Sequence, residues 1–242
     1  MAHFYLDEAL TPPQVGDRVT ISGSEARHAV TVSRQSAGES ISVGNGAGLV
    51  VTGTIESAQP AELVLVAEAV VEHPRREPAI FLAQALAKGD RDELAVQAAT
   101  ELGVDGVIPW QAARSISRWE GAKVAKGRDR WTAIVREASK QSLRAWVPDV
   151  LDIATTRQLA AFASGARMLV LEPTADAALG SLELDGRDLI LVVGPEGGIS
   201  PQEREILENA GAETVRLGTE VLRTSTAGPA ALGALNVLLG RW

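Results

Sequence analysis

The 242-residue chain is acidic, free of cysteine and 45% hydrophobic, so it can form a core. A net charge of −8 argues against a non-specific polyanion binder, and the lack of cysteine excludes disulfides and thiolate catalysis. Because the chain has only 3 histidines, we expect no metal site. Because it has no apolar run of about 18 residues, we expect no membrane-spanning segment. The N-terminal residues lack a signal-peptide pattern, so we expect a cytoplasmic protein.

The first 73 residues have the pattern of a small β-barrel. Short runs rich in β-branched residues are separated by turn residues, as in all-β folds. The glycine-rich stretch 44–48 has no helix after it, so a hairpin turn is favoured over a phosphate loop. A helix begins near Ser24. The predicted strands are residues 18–21, 40–43, 49–55 and 63–70.

A charged segment with two prolines, residues 72–78, indicates a domain boundary. We therefore predict one domain of residues 1–73 and a second of residues 74–242. The second domain alternates strands with helices, which is typical of an α/β fold with a mostly parallel sheet. Its predicted strands are 79–87, 107–109, 114–118 (an edge strand), 150–153, 167–171, 189–193 and 213–217. Its predicted helices are 91–102, 123–144, 155–163, 201–210 and 227–239.

Two of these helices carry informative patterns. Asp90 is expected to cap helix 91–102, whose predicted apolar positions are Leu94, Ala95, Ala98 and Leu102. Helix 123–144 lies within residues 110–146, which hold nine basic and three acidic residues. Its cations at 136, 140 and 144 recur every four residues and share one face. Such a face is either merely solvated or contacts phosphate, and the acidity of the rest of the chain favours phosphate contact.

Two glycine loops near the C-terminus suggest a ligand site. The sequence GPEGG at 194–198 follows an apolar strand, and Ser200, Pro201 and Glu203 then form a predicted capping box. The second loop begins at Gly218 and leads through 222–227, LRTSTA, into the final helix. We expect both loops to leave the same ends of two neighbouring parallel strands, where ligands of open α/β sheets bind. Each loop alone is equally consistent with an ordinary strand-to-helix turn.

Together these patterns resemble a known family. Four motifs of this chain resemble those of the SPOUT class of RNA methyltransferases, and within it those of the small-subunit methyltransferase E family. They are KGDR at 88–91, EA-x-x-QS-x-R at 137–144, GPEGG at 194–198 and LG-x-x-x-LRT-x-TA at 217–227. The resemblance implies a PUA-like RNA-binding barrel, followed by a SPOUT α/β domain with a C-terminal trefoil knot. It also implies S-adenosylmethionine as cofactor, no metal, and methylation of a uridine at N3 in 16S ribosomal RNA, on the 30S subunit, by a homodimer.

The resemblance also implies a set of site residues. Arg223 is the candidate for stabilising charge on the uracil or holding the cofactor carboxylate, with a structural salt bridge as the alternative. Thr224 and Thr226 are candidates either for bonding the target base or for capping the last helix. The implied cofactor-binding residues are Leu171, Glu172, Pro173, Val193, Gly194, Pro195, Glu196, Gly197, Gly198, Leu217, Gly218, Val221, Leu222, Arg223, Thr226 and Ala227. The implied RNA-binding residues are Arg27, His28, Arg34, Lys88, Arg91, Arg114, Arg118, Lys140 and Arg144.

One position departs from the family pattern. Ser225 stands where the family commonly has glutamate, so no base role carries over to it, and Glu196 is one candidate for any carboxylate chemistry. Two other functions stay open: a SPOUT ribose 2′-O-methyltransferase of rRNA or tRNA, and a non-catalytic RNA-binding assembly factor. The apolar final helix is expected to form the homodimer interface or to pack within the chain.

Overall fold

The computed structural model describes residues 3–242, which form two compact units. The first unit contains the chain up to Arg75 together with Ser139–Val147, and the second contains Arg76–Ala138 and Pro148–Trp242. Within the described residues, no helix is long and apolar enough to cross a membrane.

The first unit is a five-stranded sheet in the order β1-β3-β4-β5-β2. The pairs are antiparallel except for β1 with β3, and inward-facing residues such as Ile21, Val51 and Leu65 form its core. Its strands are β1 Phe4–Leu6, β2 Arg18–Ser22, β3 Ser40–Gly44, β4 Leu49–Gln59 and β5 Glu62–Glu72. The helix α1 spans Gly23–Arg27 and continues as a π-helical turn, His28–Val32. The four predicted strands and the 44–48 hairpin turn are confirmed, and β1 was missed because it has only three residues.

The second unit is a six-stranded, fully parallel sheet in the order β11-β9-β10-β6-β7-β8. The central strands β6 and β10 are apolar and almost completely buried, as predicted for strands covered on both faces. The strands are β6 Ile80–Ala85, β7 Gly106–Trp110, β8 Asp149–Val150, β9 Arg167–Leu171, β10 Leu189–Val193 and β11 Glu213–Val215. The helices are α2 Arg91–Glu101, α3 Ala122–Gln141, α4 Thr156–Ala161, α5 Pro201–Asn209 and α6 Thr224–Leu238.

The sheet order corrects one prediction about the site. Strands β10 and β11 are not neighbours, because β9 lies between them and pairs with both. Sequence patterns do not report which strands pair, and the order of the strands along the chain is not their order in this sheet. As a result, three loops leave the same edge of the sheet side by side: those after β9, β10 and β11.

Two further predictions in the second unit need correction. Residues 114–118 form an irregular loop rather than an edge strand, and the Ser117 hydroxyl and the Arg114 guanidinium bond to the backbone of other loops. In α2, the predicted apolar position Ala95 is buried together with Val96 and Ala99, but Leu94 is 49% exposed.

The last turn of α3 and the residues after it pack with the first unit. Lys140 Nζ lies 3.1 Å from Glu25 Oε1, and both side chains are about nine-tenths buried. Trp146 Nε1 donates to the carbonyl of His73 (2.8 Å), and the Arg75 guanidinium lies 4.3 Å above the Trp146 ring. The phosphate contact predicted for the basic face of this helix is therefore not supported at Lys140, because its side chain is buried against Glu25 of the first unit. The helix itself ends at Gln141 rather than at residue 144.

The start of α2 buries an acid that sequence patterns did not single out. Asp90 is the N-cap residue but makes no side-chain capping bond, contrary to prediction. Asp92 is only 5% exposed and accepts weakly from the backbone N–H of Ala87 (3.4 Å) and from that of Glu93 (3.0 Å). Burial raises the pKa of the Asp92 carboxyl to about 6, since these bonds offset only part of the desolvation.

This pKa predicts a pH-dependent effect of Asp92→Asn. The native state binds more protons than the unfolded state between pH 3.8 and about 6, so the contribution of Asp92 to stability falls as pH rises through about 6. The Asp92→Asn variant has no carboxyl at this position, so it does not lose stability in this way as the pH rises. We therefore expect the difference in unfolding free energy, variant minus wild type, to increase by about 1–3 kcal/mol from acidic to mildly alkaline pH, measured by urea denaturation. Exposed Asp90→Asn is the control, and a pH-independent difference for Asp92→Asn would contradict the buried acid.

Candidate active site

The three loops at the carboxyl edge of β9, β10 and β11 enclose a cavity of about 540 Å³. This volume is typical of small-molecule sites, and the position is the one where open α/β sheets bind ligands. The lining residues are Arg91, Leu171, Glu172, Pro173, Val193, Gly194, Pro195, Glu196, Gly198, Ile199, Val215, Arg216, Leu217, Gly218, Glu220, Val221, Leu222, Arg223, Thr224 and Ala227.

Most of the predicted cofactor-binding residues line this cavity, but two do not. Gly197 faces away from it, and a Cβ at Gly197 would lie 3.2 Å from the Cβ of Arg114. Thr226 is exposed on the first turn of α6 and is also absent from the lining. Sequence reasoning missed Arg91, Ile199, Val215, Arg216 and Glu220, which reach the cavity through tertiary structure.

The GPEGG loop needs glycine at particular positions. Gly198 has a φ of +70°, and its N–H donates to the carbonyl of Pro195 (2.8 Å), closing a tight turn. At Gly194 a Cβ would lie 2.7 Å from Ile199 Cγ1, so a side chain there would displace the loop. The turn leads directly into α5, whose predicted capping box between Ser200 and Glu203 is confirmed.

Glu203 does more than cap α5. Its buried carboxylate also accepts from the backbone N–H of Ala113 (2.7 Å) and from the hydroxyl of Thr156 (2.9 Å). Although burial raises the pKa of Glu203, the hydrogen bonds from Ala113, Ser200 and Thr156 outweigh it and hold the pKa below its usual value. One carboxylate therefore joins the GPEGG loop, the loop after β7 and the start of α4.

The carboxylate of Glu196 is engaged in an ion pair and a hydrogen bond rather than available as a base. Its Oε1 accepts from Arg91 Nη1 (2.8 Å) and from the backbone N–H of Lys88 (3.0 Å). Burial raises the pKa of Glu196, but hydrogen bonds, including these two, keep it below its usual value. A carboxylate that is already ionised and engaged in this way is a poor proton acceptor at neutral pH. The prediction of a base role for Glu196 is not supported. Its ion pair with Arg91 instead joins the GPEGG loop to the KGDR segment.

Thr224 fastens the start of α6 to the GPEGG loop. Its hydroxyl donates to the carbonyl of Gly194 (2.8 Å) and accepts from Nε2 of Gln84 (2.8 Å). Thr224 and Gln84 are both buried. These two bonds make Thr224 a positioning residue between α6 and the GPEGG loop. The contact with the target base that was predicted for Thr224 stays a prediction.

Replacing Thr224 with valine should test this assignment. The variant leaves the Gly194 carbonyl and the Gln84 amide without their buried partner, so we expect a loss of about 1–3 kcal/mol of unfolding free energy. Thr224→Ser keeps the hydroxyl and should lose much less. If the hydroxyl served only to contact substrate, denaturation would show equal stability for both variants.

Arg223 lies at the mouth of the cavity. It is the N-cap residue of α6 and is exposed, and no ion pair or hydrogen bond holds its guanidinium within residues 3–242. The alternative of a structural salt bridge is therefore not supported. An uncommitted cation at a ligand cavity is suited to bind or stabilise negative charge.

The loop after β9 forms the third wall. The Thr174 hydroxyl donates to Glu172 Oε1 (3.0 Å), and Arg204 lies 3.8 Å from its other carboxylate oxygen. Arg216 Nη1 donates to the carbonyls of Ala175 and Asp176, which ties this loop to the one after β11. Polar contacts between loops thus fix all three walls before any ligand binds.

The predicted RNA-binding residues fall into two groups, one in each unit. In the first unit, Arg27, His28 and Arg34 are exposed along and after the π-helical turn, and Arg144 is half-buried. In the second unit the exposed cations are Lys88, Arg114 and Arg118, whereas Arg91 is committed to Glu196.

Comparison with known proteins identifies the class. One family model, described as RNA methyltransferase domain, matches residues 75–236, and another, described as RNA methyltransferase PUA domain, matches residues 21–68. The fold, the cavity and these matches define the protein as an RNA methyltransferase.

The relatives narrow this class to one family. The ribosomal RNA small subunit methyltransferase E of Mycobacterium bovis is 42% identical, covering 99% of this chain and 92% of the relative. The protein of the same name from Bacillus subtilis is 34% identical, covering 98% of this chain and 96% of the relative. The chain belongs to the ribosomal RNA small subunit methyltransferase E family.

Solved structures agree with this family. The methyltransferase E of Neisseria gonorrhoeae, bound to S-adenosyl methionine, has a TM-score of 0.88 at 29% identity and covers 98% of both chains. A methyltransferase structure from Legionella pneumophila with bound SAM gives 0.87 at 28% identity, also with 98% of both chains covered. The predicted fold class, a PUA-like β unit followed by a SPOUT-type α/β unit, is confirmed, and the trefoil knot stays a prediction.

Proposed function

We infer that the protein is an S-adenosylmethionine-dependent methyltransferase that methylates N3 of a uridine in small-subunit ribosomal RNA. The observation that carries this inference is the cavity, whose walls are formed by GPEGG and by the LRT-x-TA segment. Family membership supplies the substrate class. Since the substrate belongs to the ribosome, the enzyme acts in the cytoplasm.

The lining of the cavity fits S-adenosylmethionine. Apolar side chains such as Leu171, Val193 and Leu217 suit an adenine ring, and the glycine loops bring backbone donors and acceptors close to a ligand. Charged residues of both signs in the lining also suit a methionine moiety, with Glu220 matching its ammonium and Arg216 its carboxylate. When bound, the cofactor supplies an electrophilic methyl group on a sulfonium, and this chemistry requires no metal.

The protein's contribution is to position the base and stabilise its charge. Uridine N3 carries a proton at neutral pH, so the reactive form is an anion. Arg223 favours that anion electrostatically and is the catalytic residue of this account. Fixed walls, held by Thr224 and Glu203, let binding align N3 with the methyl group, and such alignment supplies much of the acceleration. Because Glu196 is already ionised and hydrogen-bonded, it is not the acceptor of this proton in the proposal.

Two finer points belong to the same proposal. The substrate is the assembled 30S subunit, and the active form is a homodimer. The dimer is supported by exposed apolar residues at the end of the chain: Val237 is 61% exposed and Trp242 is 62% exposed. Large apolar side chains with this much exposure are often found at interfaces.

The experiment is transfer of labelled methyl groups from S-adenosylmethionine to three substrates: 30S subunits, deproteinised 16S rRNA and tRNA. The ribosomal substrates come from a strain lacking the gene. Label in 30S subunits above naked rRNA supports the proposal. Label in naked rRNA alone would contradict the proposal that the assembled 30S subunit is the substrate. Label in tRNA alone would contradict the proposal that the substrate is ribosomal RNA. Cofactor binding without label in any RNA would favour a non-catalytic factor.

A further inference from the structure

We propose that Arg114 couples RNA binding to cofactor binding, by contacting a substrate phosphate while it holds the GPEGG loop. This inference rests on the proposed function and adds a role for one residue within it. The geometry points to Arg114 because its guanidinium touches the loop from the side opposite the cavity.

The GPEGG loop has two faces with different partners. Gly194, Pro195, Glu196 and Gly198 line the cavity, whereas the carbonyl of Gly197 accepts a hydrogen bond from Arg114 Nη1 (2.9 Å) on the other face. Gly197 also packs tightly on the Arg114 side chain. A movement of Arg114 therefore transmits directly to the residues that wall the cofactor site.

Charge distinguishes Arg114 from the other cation on this loop. Arg91 is paired with the Glu196 carboxylate at 2.8 Å, so its charge is compensated. Among the described residues, the Arg114 guanidinium bonds only to a carbonyl, which leaves its positive charge uncompensated and uses one of five N–H donors. The side chain is exposed, so the remaining donors can form the paired contacts that guanidinium makes with phosphate.

Neighbouring loops add two more exposed cations to the same place. The Ser117 hydroxyl donates to the carbonyl of Ala87 (2.6 Å), which brings the loop carrying Arg118 against the loop carrying Lys88. Glu203 fixes the backbone of Ala113, directly before Arg114. The KGDR segment also has one exposed acid, Asp90. Lys88, Arg114 and Arg118 together form a cationic surface that suits the backbone of an RNA strand.

The thermodynamic consequence is reciprocal. If RNA fixes Arg114 and thereby the loop, bound RNA must raise cofactor affinity, and bound cofactor must raise RNA affinity by the same factor. We expect a factor of about fivefold or more, the lower end of typical couplings between sites.

The test measures S-adenosylhomocysteine affinity with and without saturating 30S subunits, using this product to prevent turnover. Wild type should show the affinity increase, and Arg114→Ala should show a ratio near one. Arg114→Lys keeps the positive charge but lacks the paired N–H donors of a guanidinium. It should therefore retain more RNA affinity than Arg114→Ala and still lose the coupling. Arg118→Ala is the matched control, because in residues 3–242 the Arg118 guanidinium bonds weakly to the Ala113 carbonyl (3.4 Å) and has no hydrogen bond to the GPEGG loop. This variant should weaken RNA binding and keep the ratio.

Each outcome bears on a different claim. A wild-type ratio of one with normal RNA binding would overturn the coupling and leave the proposed function intact. Undiminished coupling in Arg114→Ala would overturn the role of Arg114. Wild-type protein that binds no ribosomal RNA would overturn the proposed function itself. Urea denaturation of Arg114→Ala distinguishes lost coupling from a damaged fold.

Discussion

Replacing Arg223 with alanine is expected to lower the rate of methyl transfer by roughly 10²–10³-fold, the effect of removing one preorganised stabiliser of developing charge. The expectation follows from its position, because Arg223 is an exposed cation at the mouth of the cavity. Since no ion pair or hydrogen bond engages its guanidinium within residues 3–242, the substitution should leave the unfolding free energy nearly unchanged. A large loss of rate without a loss of stability is the specific signature.

Single-turnover kinetics on 30S subunits measure this effect separately from binding. Arg223→Lys keeps the charge and should restore part of the rate. Arg157→Ala is the control, because Arg157 is an exposed arginine on α4 outside the cavity lining. If Arg223→Ala changed only cofactor affinity, Arg223 would hold the cofactor carboxylate instead of stabilising the uracil anion.

Replacing Glu203 with glutamine is expected to cost about 2–4 kcal/mol of unfolding free energy, because a buried, multiply hydrogen-bonded anion is lost. Glutamine offers one acceptor oxygen where the carboxylate uses both. Its amide also brings two donors to a site where Ala113, Thr156 and Ser200 already donate. Activity should fall as well, since Glu203 orders the GPEGG loop and the loop that carries Arg114.

The pH dependence of this effect has a defined sign. The folded-state pKa of Glu203 is lowered, so its contribution to stability is fully present above the unfolded value of 4.5 and is lost as pH falls through the folded value. The gap between wild type and Glu203→Gln should therefore be largest near neutral pH and shrink in acid, by urea denaturation. Glu205→Gln, on the exposed side of the same helix, should show almost no gap. A gap that widened in acid would contradict the assignment.

Sequence patterns predicted the elements whose causes are local. The apolar run of β10 and the capping box of Ser200 and Glu203 depend on residues within a few positions of one another. The glycine loops and Arg223 were placed correctly at the cavity through the family resemblance, which carries information about a folded site that periodicity does not.

The failures share a different cause, which is contact between distant parts of the chain. Lys140 is predicted to contact phosphate as one member of a basic helical face, but its partner is Glu25, 115 residues away. The bond between Thr224 and Gln84, 140 residues apart, is also one that no local pattern indicates. Likewise, nothing local indicates that β9 separates β10 from β11. Partners of this kind are set by tertiary packing, so sequence alone leaves them open.

Nucleoside analysis of 16S rRNA tests the central claim most directly. Small subunits from a strain lacking the gene are incubated with the protein and S-adenosylmethionine, and the digested rRNA is then examined by mass spectrometry. We predict 3-methyluridine at a single position, and its near absence with Arg223→Ala. A 2′-O-methylated nucleoside in its place, or no methylated nucleoside from protein that binds the cofactor, would contradict the assignment.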